Sequence, residues 1–167
     1  MTFCGDISHD TANHKACGSA ICRGRGEMSR ITVTIPIEPK PKLRPRFSVH
    51  YGRVHTHTPY KTREFENQIL EAYVYEAKGF KFDKGIPLTV SITFGMPIPK
   101  SASKKRKTDM AAGIIPHTVK PDCDNLVKSI LDALNEVAWH DDAQIVEIRC
   151  SKAYANMPYV NIAIQDL

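Results

Sequence analysis

Four stretches of this chain alternate apolar with polar residues, and a chain patterned in this way is committed to a sheet with one face against a core. Ile31, Val33, Ile35 and Ile37 alternate with Thr32, Thr34 and Pro36. Leu88, Val90, Ile92, Phe94 and Met96 repeat the pattern until Pro97 and Pro99 end it. Ile145 to Tyr154 reads as a third strand with Val146, Ile148 and Cys150 on one side. Val160, Ile162 and Ile164 form a fourth, after a turn at Asn156-Met157-Pro158.

The apolar period lengthens to that of a helix in two places. Thr58-Pro59 suits an N-cap followed by proline at the first helical position. Phe65, Ile69, Ala72, Tyr73 and Ala77 make the stripe of this first helix, which runs to about Lys78 with Gly79 as its stop. The second helix starts near Asp122, because Pro121 disfavours helical geometry at Lys120. Asp122 or Asp124 is its N-cap. Leu126, Val127, Ile130, Leu131 and Leu134 are its buried face, and Asn135 closes it. Between these elements, Pro36, Pro39, Pro41 and Pro45 impose an extended path. Residues 46–57 predict a small hairpin turning near Tyr51-Gly52. Residues 100–119 form a basic connection without a clear core face, either a short helix or a mobile arm. The fold class is therefore α+β: a mixed β-sheet with helices packed against it.

The 167 residues are enough for one domain, which spans 28–167. Residues 1–27 carry Gly, Ser, Asn, His and Cys without periodicity and predict a disordered extension. Cys4, His9, His14, Cys17 and Cys22 lack the paired close spacing of common zinc modules. The five cysteines are an odd number at irregular spacing, which points to a reducing cytosol. There is no apolar run of membrane-spanning length and no signal-peptide pattern.

The charge is uneven in a way that suggests a partner. The net charge is +5. From Pro39 to Arg63 the charged residues are Lys40, Lys42, Arg44, Arg46, Arg53, Lys61 and Arg63, with no acid among them. A second basic run holds Lys100, Lys104, Lys105, Arg106 and Lys107, and Lys120 follows. Two basic arms suit a phosphate backbone. Acids gather later. Asp122 and Asp124 precede the second helix, and Asp141 and Asp142 follow it. Carboxylates held close together repel one another, and a hard cation such as Mg²⁺ relieves this while keeping ligand sites for water and phosphate. A metal at such a cluster activates water for phosphodiester hydrolysis, and a lysine one turn into the helix, Lys128, meets the charge that develops on the phosphate. Asp124, Lys128 and Asp132 share one helical face. Whether the later acids reach the helix N-terminus or stay at its far end depends on packing. Against this chemistry stand ordinary roles: helix capping for the first pair, a turn for the second, and a solvated ion pair for Lys128.

The pattern resembles a known family. Pro121-Asp122-Cys123-Asp124-Asn125-Leu126-x-Lys128 with Asp132-Ala133-Leu134, then Trp139-His140-Asp141-Asp142-x-Gln144-Ile145-Val146, then Lys152-x-Tyr154, is similar to the RusA-type Holliday-junction resolvases of bacteria and phages. Ile35-Pro36, Arg44-Pro45-Arg46 and Thr58-Pro59-x-Lys61 resemble the same family, from about residue 30 to the C-terminus. The resemblance implies a homodimeric, Mg²⁺-dependent endonuclease, with Mn²⁺ as a substitute, that nicks four-way DNA in pairs. It implies a protein of the bacterial or host cytoplasm, with no membrane and no small-molecule cofactor. Asp122, Asp124 and Asp142 match the metal-binding carboxylates, Asp141 the neighbouring acid, and Lys128 the catalytic lysine. Lys40, Lys42, Arg44, Arg46, Arg53, Lys61, Lys104, Lys105, Arg106, Lys107 and Lys120 are the candidate DNA contacts. Cys123 departs from the family, which usually has an aliphatic residue there, and the extension 1–27 lies outside the pattern. The alternatives are a metal-dependent nuclease for other branched or flap DNA, and a junction-binding protein that does not cut.

Overall fold

The computed structural model describes residues 29–43, 46–50, 53–57 and 59–167, with 46–50 and 53–57 described by their backbone. The extension 1–27 with its cysteines and histidines, Arg44, Thr58, and the side chains of Arg46 and Arg53 lie outside the described residues. The chain order is β1 (Arg30–Ile35), β2 (Arg46–His50), β3 (Arg53–His57), α1 (Tyr60–Glu76), β4 (Leu88–Pro97), α2 (Lys104–Ala111), α3 (Cys123–Leu134), a 3₁₀ turn (Asp142–Gln144), β5 (Ile145–Ala155) and β6 (Tyr159–Asp166). This is the mixed α+β arrangement read from the sequence, with α2 as the short helix of the basic connection.

The main sheet has the order β1-β6-β4-β5. β6 is antiparallel to both β1 and β4, whereas β4 and β5 are parallel. The hairpin β2–β3 forms a separate two-stranded ribbon. Ile31, Val33, Ile35, Val90, Ile92, Phe94, Val160, Ile162 and Ile164 all bury their side chains on one face. Phe65, Ile69 and Tyr73 of α1 and Leu126, Ile130 and Leu134 of α3 meet them there. The other face carries Thr34, Ser151 and Asn161, with Asn161 Nδ2 donating to Thr34 Oγ1 at 2.7 Å and Ser151 Oγ donating to Thr93 Oγ1 at 3.2 Å. A sheet covered on one face and wet on the other explains the strict alternation of the strand sequences.

Three local expectations change. Pro59 is the N-cap of α1, and the helix begins at Tyr60; Pro59 keeps an extended ψ of 141°, and its carbonyl accepts from Thr62 N and Arg63 N. α1 ends at Glu76, and the chain leaves it through left-handed geometry at Lys78 and Gly79. In β5, the regular alternation is interrupted at its start, beside Val146. A register shift beside Leu88 pairs Leu88 with Ile145 and Thr89 with Glu147, leaving Val146 as the extra residue. Ile148, Cys150, Lys152 and Tyr154 then pair with the core-facing Val90, Ile92, Phe94 and Met96, and at this edge of the sheet Val146 and Ile148 are both exposed.

Gly95 on β4 lies opposite Tyr159 on β6. A Cβ at Gly95 would overlap the Tyr159 ring and press on Ala155 Cβ at 3.1 Å. Glycine is therefore needed here for close approach of an aromatic ring. Gly95→Ala should cost about 1–3 kcal/mol in urea unfolding. Combined with Tyr159→Ala it should cost less than the two separate changes summed, by about 1 kcal/mol. Strict additivity would mean that the ring does not occupy this space.

Candidate metal centre

The site is built from the connection between β4 and β5. Its first carboxylates stand where α3 begins. Asp122 is the N-cap residue, extended at φ −78° and ψ 149°, yet its side chain makes no capping hydrogen bond. Asp124 lies in the first helical turn. Both are exposed, and neither carboxylate has a hydrogen bond or ion pair among the described residues. The capping role that would have accounted for Asp122 is thus unfilled by its side chain. Lys128, one turn beyond Asp124, is exposed.

The approach to α3 is held from the sheet. Lys152 on β5 donates from Nζ to the carbonyls of Val119 and Pro121, each at 2.8 Å. The Lys120–Pro121 peptide is cis. His117 is buried on the ring of Tyr154, centroids 4.7 Å apart. Burial, then the nearby Lys152 charge, hold its pKa below the usual histidine value. Burial first, then the neighbouring Cys123 thiol at the first position of α3, push the Cys150 thiol of β5 up.

The later acids have other surroundings. Asp141 caps the 3₁₀ turn, accepting from Ala143 N at 2.8 Å. Asp142 accepts from Trp139 Nε1 at 2.8 Å, and the Trp139 ring is fully buried. Gln144 binds this corner with its whole amide. Its Oε1 accepts from His140 N at 2.8 Å and Asp141 N at 3.3 Å, and its Nε2 donates to Asp83 O at 2.8 Å and Ile86 O at 3.1 Å. A cavity of about 530 Å³ opens beside it, lined by Lys84, His140, Asp141 and Gln144 among others.

The two acid pairs lie at opposite ends of α3. Lys152 touches the start of the helix, whereas Ile145 follows the Asp142 turn. The twelve residues of α3 span about 18 Å at 1.5 Å per residue. Mg²⁺ binds its ligands at about 2.1 Å, so the two pairs of one chain cannot share an ion. Consistently, no three carboxylate, imidazole or thiol groups converge among the described residues.

The basic residues fall into two groups. Lys61, Lys104, Lys105, Arg106 and Lys120 are exposed. The first three residues of α2 thus present a cationic face, anchored by buried Met110 and by Ser103 Oγ, which accepts from Arg106 N at 3.5 Å. Lys107 instead donates to Lys100 O at 2.9 Å. Lys40 is half-buried, and its carbonyl accepts from Ser129 Oγ at 3.1 Å. Lys42 departs furthest from a DNA-contact role. Its ammonium lies between Glu66 of α1 and Asp132 of α3, 2.8 Å from the latter. Asp132 therefore pairs with Lys42 rather than with Lys128. The backbone N of Lys42 also donates to Asn125 O at 3.0 Å. The segment before the hairpin is pinned along α3, and its lysine ties the two helices together. Sequence periodicity holds no sign of this, because Lys42 belongs to neither helix.

The comparisons with known proteins now bear on these residues. The model of the family described as Endodeoxyribonuclease RusA matches residues 36–165. The chain belongs to this family. It is an endodeoxyribonuclease, and the matched span contains Asp122, Asp124, Asp141, Asp142 and Lys128. Among its relatives is the uncharacterised protein YqaN of Bacillus subtilis (strain 168), 34% identical over 142 residues, covering 84% of this chain and 99% of the relative. Another is the crossover junction endodeoxyribonuclease rusA of Lactococcus phage r1t, 30% identical over 110 residues, covering 65% of this chain and 77% of the relative. No helix among the described residues is long and apolar enough to cross a membrane.

Burial works against the charge of Lys42, but the hydrogen bonds and attraction of Asp132 and Glu66 outweigh it and raise its pKa above 10.5. A raised folded-state value means that its stabilisation is complete below the unfolded value and is lost as pH rises through the folded one. Lys42→Met should cost about 1–2 kcal/mol near neutral pH, as expected for a half-buried pair. The gap between wild type and variant in thermal unfolding should narrow as pH rises past about 10.5. A gap that stays constant with pH would remove the ion pair as its cause.

Proposed function

We propose that this chain resolves four-way DNA junctions as a homodimer, by paired symmetric nicks that depend on a divalent cation. The observation that carries the reading is the pair of exposed carboxylates, Asp122 and Asp124, unspent on capping at the start of α3. Hard oxygen donors in that setting fit Mg²⁺, or Mn²⁺ in its place, and Asp122 and Asp124 would hold it. When bound, the cation supplies Lewis acidity for phosphodiester hydrolysis. Lys128, four residues beyond Asp124, meets the negative charge of the scissile phosphate. The lysine of β5, through the carbonyls of Val119 and Pro121, keeps the helix start in place. Junctions as substrate are supported by the phage r1t relative, which is named a crossover junction endodeoxyribonuclease.

The homodimer reading draws support from the separation of the acid pairs. Two copies related by a two-fold axis, with their α3 helices antiparallel, set Asp142 of one copy beside Asp122 and Asp124 of the other. A four-way junction has the same two-fold symmetry, so each copy faces an equivalent strand. Lys61, Lys104, Lys105, Arg106, Lys107 and Lys120, with Lys40, Arg44, Arg46 and Arg53, supply the grip on the backbone, and selectivity comes from branched shape more than from base edges. Such a protein acts in the cytoplasm, where the chromosome or phage DNA lies.

The test is cleavage of a synthetic four-way junction beside a linear duplex of the same arms, with Mg²⁺ and with EDTA. Paired nicks confined to the junction, and lost with EDTA or with Asp124→Asn, are expected. Equal cutting of the duplex would refute junction selectivity. Lys128→Ala should bind the junction and fail to cut it. Co-expressed Asp124→Asn and Asp142→Asn chains, each inactive alone, should regain cutting at one site per mixed dimer, whereas a site contained in one chain would stay dead. Neutralising Lys104, Lys105 and Arg106 together should flatten the salt dependence of junction binding by about 3 in log–log slope; an unchanged slope would make α2 a bystander.

A further inference from the structure

His117 is a buried titratable group that the chemistry at Asp122 and Asp124 does not use. The residue is 7% exposed, and its Nδ1 has no hydrogen-bond partner among the described residues. Its ring lies against the Tyr154 ring of β5, with centroids 4.7 Å apart and planes inclined at 53°. Two residues earlier on the same strand, Lys152 donates from Nζ to the carbonyls of Val119 and Pro121, each at 2.8 Å. Residues two apart on a strand lie on one face, about 6.6 Å from each other. That face of β5 therefore grips the segment 117–121 twice, by an aromatic ring at its beginning and by an ammonium group at its middle and end. Asp122, the N-cap of α3, is the next residue.

The grip admits a neutral imidazole and works against a charged one. From β5 the imidazole faces the Tyr154 phenol and, one step along the strand, the Lys152 ammonium. On its own segment the charged residue is Lys120, which is exposed, and Asp122 and Asp124 stand exposed beyond it. From α2, which also packs against β5, the charged side chains are Lys104, Lys105, Arg106 and Lys107, with Asp109 the one acid. His117 makes no ion pair with a carboxylate among the described residues. An imidazolium here would be a buried charge beside a second cation. Burial, then Lys152, accordingly hold the histidine below its usual value of 6.5.

We propose that His117 is a positioning residue for the start of α3: its neutral ring closes the grip of Tyr154 and Lys152 on residues 117–121, and protonation opens it. An added proton either drives the ring off Tyr154 or pushes Lys152 from its two carbonyls. Either outcome releases Asp122 and Asp124 from their fixed positions. The folded chain favours the neutral ring, so this contribution to stability is complete above the unfolded value, about 6.5, and is lost as pH falls below it. The grip stands on the contacts of His117 and Lys152 alone; its bearing on a cation rests on the metal reading above.

The experiment uses the full chain, isotope-labelled for NMR and titrated without metal from about pH 8 to about pH 5, the range in which histidine changes charge. The His117 imidazole should titrate below 6.5, and the amide resonances of Lys120, Asp122, Cys123 and Asp124 should shift along the same curve. In His117→Phe, which keeps a ring and cannot take the proton, those shifts should vanish. Amides at the helix start that stay still over this range, or that move equally in the Phe variant, would overturn the positioning role. Mg²⁺ titration by calorimetry follows, at about pH 7.5 and about pH 5.5. Acid weakens carboxylate–metal binding in any chain, so the ratio of the two dissociation constants is compared between wild type and His117→Phe. That ratio should be about threefold larger for wild type, because only molecules with the grip closed bind well. Equal ratios would overturn the link from the grip to the cation. Amide shifts as expected in a protein that binds no Mg²⁺ at either pH would sink the metal reading and leave the grip standing.

Discussion

β4 and β5 run parallel, and a parallel pair cannot be joined by a hairpin. The chain must leave the end of β4, cross the sheet and return to the start of β5. That crossover is the stretch 98–144, and it carries α2, α3, Asp122, Asp124, Asp141, Asp142 and Lys128. The parallel pairing therefore sets where the chemistry lies. The crossover brings α3 antiparallel to β5, so its start stands near Lys152 and its end near Ile145. An acid pair at each end of α3 follows directly, and a single chain separates what one cation would need together.

Polar tethers hold this arrangement where apolar packing alone leaves freedom. α3 buries Leu126, Ile130 and Leu134 against the sheet, which fixes its depth but not its position along its own axis. Lys152 fixes the start through two carbonyls, and Gln144 fixes the far corner through four hydrogen bonds. Lys42 ties the outer side of α3 to α1. Each tether is a charged or amide group given fixed partners on a different element, so sliding of the helix would leave buried or half-buried polar groups unpaired.

Much of the fold was legible because one face of the sheet is covered and the other is wet. That asymmetry writes alternation into β1, β4 and β6, and the two helices carry their own stripes. Legibility failed where geometry breaks period. The extra residue Val146 shifts the parity of β5, and alternation counted from Ile145 lands on the wrong face. It failed again for tethers. Lys42 reads as one more cation in a basic run, and Gln144 as one polar residue after two acids. Neither periodicity nor charge distinguishes a solvated side chain from one with partners 24 or about 60 residues away.

The sequence by itself determined the elements, the apolar faces, the family and the residue types available for chemistry, because these depend on local period and on motif spacing. The tertiary structure alone decided that Asp122 and Asp124 stand without partners among the described residues at one end of α3 while Asp141 and Asp142 are engaged at the other, and that Lys42 is tied between helices. Those outcomes depend on strand direction and crossover path, and the pairing of β4 with β5 sets both through contacts between residues more than fifty positions apart.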